Sequence, residues 1–248
     1  MVSKSGMQNR ALVIALLASL LLWNLPFGGI VLYPFKVFAT WWHELSHGLV
    51  MLVTGAGFDR MEVYQDTSGF AYSMRHPGAL GMALVASAGY MGTSVGGAVL
   101  LVVGQTRRGA RIALAVIGGA LLLSAALWVR NQFGVVSVLV GGAVFVGFAV
   151  LASDRVAKFL LNFVAAQACI NAVLDIRVLF RSNLVVNGEV MSRSDAHNMA
   201  DATFGNAWMW AAVWLVWSFG LFYWALRRSH LTEGSATSAR SSQGSASI

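Results

Sequence analysis

Charge is scarce in this chain. Only 11% of its 248 residues are Asp, Glu, Lys or Arg, and 57% are hydrophobic, whereas a soluble globular domain carries about 25% charged residues. A soluble fold of this length needs a polar face on every surface helix, and so few charges cannot cover one. The composition excludes an ordinary cytosolic protein and predicts an all-α polytopic membrane protein. Cysteine is nearly missing as well. Cys169 stands alone, which excludes an intramolecular disulfide and a multi-cysteine metal site, so any metal must be held by His, Asp or Glu. Cys169 itself reads as a small buried apolar residue. The glycine-rich patches lack a following Gly-Lys-Ser/Thr, which excludes a phosphate loop. The net charge of +7 does not indicate nucleic acid, because the basic residues sit singly or in pairs at the ends of apolar runs, as loop anchors do.

What is present is a succession of apolar segments. The first, from Ala11 to Tyr33, is interrupted by Asn24, Pro26, Gly28 and Gly29. It lacks a small-x-small cleavage site and reads as an uncleaved crossing rather than a signal peptide. Others cover 35–53, 79–103, 110–128, 132–152, 156–180 and 206–226, each near the 17 to 25 residues that span a bilayer as helix. That gives seven crossings, or six if the Pro26–Gly29 region is a broken or re-entrant piece, since only Tyr33-Pro34 separates the first two. Between 54 and 78 the residues change character. Phe58 to Gln65 is strand-like, Asp66-Thr67-Ser68-Gly69 is turn chemistry, and Phe70, Tyr72 and Met74 alternate, predicting a small β-hairpin at about 58–74. Residues 181–205 form a polar connection in which Ser194-Asp195 caps a short helix through Asp201. The Ser/Gly/Ala/Thr composition of 229–248 predicts a disordered tail after one transmembrane domain, 1–228. Gly89, Gly92, Gly96-Gly97, Gly118-Gly119 and Gly141-Gly142 lie inside apolar segments and read as helix packing positions.

The chemistry is concentrated in Trp42-His43-Glu44-Leu45-Ser46-His47-Gly48, a His-Glu-x-x-His pattern inside an apolar segment. On a helix, His43 and His47 project from one face a turn apart, so both imidazoles can bind one Zn²⁺. Glu44 lies beside them, placed to take a proton from water. With five His and four Glu in the chain, coincidence is a weak explanation. Location adds weight, because an ionisable side chain inside a crossing costs about 2.5 to 3.5 kcal/mol on insertion scales and marks function. The bland alternative is polar residues bonding neighbouring helices.

A catalytic zinc usually has three protein ligands. His76, His197 and His230 all fall outside the mapped crossings, and Asp175 is the one acid besides Glu44 inside a crossing. Gln167, Asn171 and Asp175 are spaced by four and form a polar stripe. Depth favours Asp175: with helices 35–53 and 156–180 as second and sixth crossings, His47 and Asp175 lie about 9 and 8 Å below the same surface. His197 and Glu189 would have to fold back to that depth.

The chain resembles the site-2 protease family of intramembrane zinc metalloproteases. The resemblance covers most of 35–205 and rests on His43, Glu44 and His47 in a membrane helix, the hairpin with Ser68-Gly69, Ala88-Gly89-Tyr90-Met91-Gly92, and Asn171 with Leu174-Asp175. It implies His43, His47 and Asp175 as zinc ligands, Glu44 as the catalytic acid/base and Asn171 as a substrate contact. Ile176 stands where the family has Gly, and the Pro common between Asn and Asp is missing. With no room for a PDZ domain, the chain looks like the short bacterial branch, which implies a bacterial plasma membrane and a transmembrane protein substrate. The resemblance also implies an active site nearer the cytosol, with the N-terminus and hairpin inside and, for seven crossings, the tail outside; the flanking basic residues, seven against eight, do not decide it.

The reading is zinc-dependent endopeptidase activity within or near the membrane; the hairpin is either an exposed edge that takes substrate as an added strand or an ordinary surface loop. One rival is a prenyl-protein protease type with a Glu as third ligand, disfavoured because Glu62, Glu189 and Glu233 lie outside the crossings. Another is a non-catalytic scaffold or transporter retaining a metal site.

Overall fold

A computed structural model describes residues 14, 17–19, 21–178, 184–191 and 194–244, with 175–178, 184–186, 190–191 and 229–244 in backbone only. Helix α1 (Leu17–Asn24) meets α2 (Gly28–Val53) at a bend of 117°. The break therefore falls before Gly28, and Pro34 lies within α2 rather than between two crossings. Proline there leaves the Ile30 carbonyl without its helical hydrogen bond, because Pro34 has no N–H to donate. Then come β1 (Phe58–Val63), β2 (Gly69–Ser73), α3 (Gly78–Val103), α4 (Arg107–Leu127), α5 (Gln132–Leu151), α6 (Asp154–Val178), β3 (Leu184–Val186), β4 (Glu189–Met191), α7 (Asp195–Ala202) and α8 (Ala207–Gly244). Helices α3, α4, α5, α6 and the first 22 residues of α8 are long and apolar enough to cross a membrane, and the bent α1–α2 pair, counted as one span, is a sixth. The fold is all-α and polytopic with a small hairpin. Among the described residues a seventh crossing is not present, because the first two apolar runs form that one bent pair. Helix α8 continues in backbone to Gly244, past residue 228 where the apolar composition ends.

Small residues set the closest helix contacts. A Cβ on Gly92 or Gly96 would collide with Ser46 or Trp42, and one on Gly97 with Cys169 and Ala168. The glycines thus let α3 approach α2 on one side and α6 on the other, the device by which helices pack where lipid supplies no hydrophobic drive. Cys169 is buried there, as its composition implied. Trp41, 1% exposed, donates its Nε1–H to Ser124 Oγ at 2.8 Å, tying α2 to α4. Helix α5 leaves Val136, Leu139, Val140 and Val144 exposed, the outward apolar face expected of a helix against lipid.

The first hairpin is fixed from both sides. Its outer strand β1 is capped by the α4–α5 connection: Met61 N–H donates to Trp128 O (2.9 Å), Arg130 N–H to Met61 O (3.1 Å), and Asn131 bonds both the N–H and the C=O of Val63. Phe58 stacks on Trp128 and lies against Gly48, where a Cβ would displace its ring. The tip folds back along α2, with Tyr33 donating to Gln65 O (2.7 Å) and Thr40 to Thr67 O (2.5 Å). Asp66 Oδ1 accepts from the Ser68 N–H at 3.0 Å, an Asx turn of the kind its sequence predicted.

Candidate metal centre

Helix α2 brings His43 and His47 to one face, with ring centroids 4.7 Å apart, as the spacing of four predicts. A third side chain reaches them from far along the chain. Asp195 Oδ2 lies 3.2 Å from His43 Nε2 and 3.3 Å from His47 Nε2. One ligand atom from each of the three residues falls within 4.8 Å of the others. Tetrahedral coordination with bonds of 2.0 to 2.1 Å puts neighbouring donor atoms about 3.3 Å apart, so the spacing fits Zn²⁺. The tautomer fits too. His47 Nδ1 is 2.6 Å from Val85 O, and a carbonyl can only accept, so Nδ1 carries the hydrogen and the Nε2 lone pair faces the cluster.

The supports are as specific as the ligands. Gly89 of α3 is packed so tightly that a Cβ there would enter the space of both imidazoles. Tyr90 contacts His43 edge-on at 4.7 Å and stacks on Trp214 of α8 at 5.2 Å. Asp195 is the first residue of α7, whose N-cap Ser194 forms a capping box with His197, and Ala196 and Met199 bury α7 against Ala83, Ala86 and Tyr90 of α3. Burial alone raises the pKa of a carboxyl, but the neighbouring His47 and His43 imidazoles outweigh it and hold Asp195 below the usual carboxylate range.

Glu44 is buried beside the pair, with the backbone N–H of Ala71 on β2 directed toward its carboxylate. Gly69 lies against Thr40 and the Glu44 methylene, with no room for a Cβ. Strand β2 thus presents one edge to β1 and the other to the acid.

Two of the expected ligands, His43 and His47, and the neighbouring Glu44 stand together as the spacing implied. Among the described side chains, the acid that meets them is Asp195. Asp175 lies on α6 with its side chain outside the described residues. His197 is exposed and engaged by Ser194, and Glu189 is exposed at a hairpin turn. Asn171 is buried, and its Nδ2 has no hydrogen-bond partner among the described residues; Gln167 bonds Ser19 at 2.7 Å. The depth argument missed Asp195 because it required ligands to come from crossings. The signal was Ser194-Asp195, legible as a cap and, with Ala196, as a family similarity, but not as a ligand carrier.

A bundle of apolar helices enclosing a two-histidine, one-carboxylate cluster with an adjacent glutamate defines the class as a membrane protein of metallopeptidase type. A family model described as Peptidase M50B-like matches residues 12–225, and the chain belongs to that family of membrane metallopeptidases. The resemblance to site-2 proteases is supported by this match. Neither a curated protein nor a solved structure matches the chain.

Proposed function

We propose that the chain is a zinc-dependent endopeptidase acting within or near the membrane, through a single domain over residues 1–228. The observation that carries this reading is the convergence of His43, His47 and Asp195 on one point, from helices 148 residues apart in sequence between His47 and Asp195, with Glu44 alongside. These three residues hold the metal, and Asp195 replaces Asp175 as the third ligand. Zn²⁺, when bound, supplies a lowered pKa for water, toward about 7, and polarisation of the scissile carbonyl. Glu44 accepts the proton of the attacking water on its carboxylate and returns it to the leaving amine. The Ala71 N–H fixes one side of that carboxylate.

A transmembrane helix hides its peptide bonds in internal hydrogen bonds, so a substrate has to unwind locally. Strand β2 offers replacement partners. Pairs in an antiparallel ladder alternate, and Tyr64 N–H bonds Ser68 O, so Gly69, Ala71 and Ser73 direct their backbone groups away from β1. That edge faces Glu44, whereas the outer edge of β1 is capped. A substrate strand added to β2 runs past the acid/base. Asn171, whose Nδ2 has no partner among the described residues, is assigned a contact to the substrate. The substrate is a membrane protein, and the setting a bacterial plasma membrane.

The test is zinc content measured together with cleavage. Asp195→Ala should lose both, and Asp175→Ala should keep its zinc; the reverse pattern returns the third ligand to Asp175. Membrane proteomics of wild type against Glu44→Gln should reveal a transmembrane protein whose truncated form disappears. Full zinc occupancy with no such difference favours the scaffold.

A further inference from the structure

The tip of the first hairpin has a second partner besides α2. Asn187 N–H donates to Ser68 Oγ at 3.1 Å, and the backbone N–H groups of Asn187 and Gly188 lie near enough to Asp66 to favour its carboxylate. Both residues have positive φ, 49° and 80°, the Asn-Gly conformation of a tight two-residue turn. In it two successive N–H groups point toward one anion.

This contact closes a ring. From Asn187 at the hairpin tip the chain proceeds through β4 to Asp195 at the histidines, eight residues that reach at most about 29 Å. The open edge of β2 lies between these anchors, with Ser68 near one and Ala71, at Glu44, near the other. Strands β3 and β4 pair only with each other among the described residues, in three register pairs. No described strand occupies the outward edge of β2. A three-residue hairpin is marginal alone, and its turn residues Asn187 and Gly188 are exposed, as is Asp66. By contrast, α7 is anchored by buried Ala196 and Met199. The free end of the ring is its weak point.

We propose that β3–β4 is a strap across the substrate groove, latched at Asp66 and Ser68, and that it unlatches to admit a substrate strand to β2. This rests on the protease reading above. Hydrogen bonds from Ser68, Asn187 and Gly188 outweigh the effect of burial and lower the Asp66 pKa, so the latch carboxylate is ionised at neutral pH.

A Ser68→Cys, Asn187→Cys pair in the full chain tests it, since the hydrogen bond places the two positions within the span of a disulfide and Cys169 is buried away from them. The probe is a reporter carrying a twenty-residue apolar segment broken by Gly-Pro, in liposomes. Oxidation should cross-link the pair, leave zinc unchanged and lower cleavage at least tenfold, with recovery on reduction. Asp66→Ala should raise kcat/KM at constant zinc. Amide hydrogen exchange at residues 69–73 should slow on cross-linking and quicken in Asp66→Ala, a readout independent of cleavage. Failure to cross-link, or equal cleavage and exchange in both redox states, overturns the strap. A fall in zinc in Asp66→Ala also overturns it, because the contact would then be holding Asp195. Absence of zinc and cleavage in the wild type, with exchange responding as expected, would instead remove the protease reading.

Discussion

At the scale of single residues the site separates groups that do chemistry from groups that make room for it. Glu44→Gln keeps the shape of the side chain but cannot accept the proton of water. Cleavage should fall by about 10² to 10⁴, the usual contribution of a general base, while zinc analysis finds the metal retained. His47→Ala should lose the metal itself, because it removes a ligand that Val85 O holds in the correct tautomer. Gly89→Ala is the less obvious case. It adds one methyl group, but in the space of both imidazoles, so it should abolish zinc binding as completely as a ligand deletion. Gly119→Ala provides the control: a Cβ there meets nothing within 4 Å, and zinc content and cleavage should stay at wild-type levels. Metal analysis of the two glycine variants side by side checks that contact, not helix propensity, decides. The residue pattern His-Glu-x-x-His was legible in the sequence because ligand spacing on one helix is local. The role of Gly89 was not, because a packing glycine and a glycine yielding space to a metal site look the same until the opposing side chain is known.

At the scale of elements the two edges of the hairpin make opposite predictions. The outer edge of β1 is satisfied by Trp128, Arg130 and Asn131. Asn131→Ala leaves both polar groups of Val63, which is fully buried, without their partner. Stability should drop by about 1 to 3 kcal/mol, visible as a lower thermal midpoint in detergent. The inner edge of β2 carries no such structural duty. Ala71→Pro removes the one N–H given to Glu44 and, because that N–H points away from β1, spares the ladder. It should lower cleavage at least tenfold with little change in thermal midpoint, whereas Phe70→Pro, on the ladder side, should destabilise the hairpin. Equal effects of the two prolines would show that β2 does not present its edge in this register. The hairpin itself was legible, since Asp66-Thr67-Ser68-Gly69 between alternating residues fixes a turn. Strands β3 and β4 were not anticipated: three-residue strands offer too little alternation to detect, although Asn187-Gly188 is the strongest short-range hairpin signal.

At the scale of the whole molecule, the five later apolar segments were legible within a few residues, because length and composition alone decide whether a helix can span a bilayer. The start of the chain left two counts open, seven crossings or six, and the bent pair accords with six for a physical reason. Proline was treated as the end of a crossing, but Pro34 sits inside α2, where neighbouring segments can compensate for the missing hydrogen bond, and the real break occurs ahead of Gly28. The position of Asp195 was hidden for a related reason: it depends on α7 packing on α3, a contact more than a hundred residues apart in sequence. The count of crossings has a consequence that a single experiment reads. With six spans the parity is even, so the N- and C-terminal ends emerge on one side, and the hairpin, the α4–α5 connection and α7 gather on the other. Contacts already unite those three: Met61 bonds Trp128 and Arg130, Asn187 bonds Ser68, and Asp195 reaches the histidines. With seven spans the ends would lie on opposite sides, and the near balance of seven and eight basic residues that left orientation undecided belongs to that count; moving Lys4 and Arg10 to the side of the tail removes it. Reporter fusions to the two ends, assayed in the same cells, should therefore give the same compartment. Opposite signals would mean an odd count: either α1 and α2 cross separately, giving seven spans, or the bent pair is a re-entrant segment that does not cross, giving five.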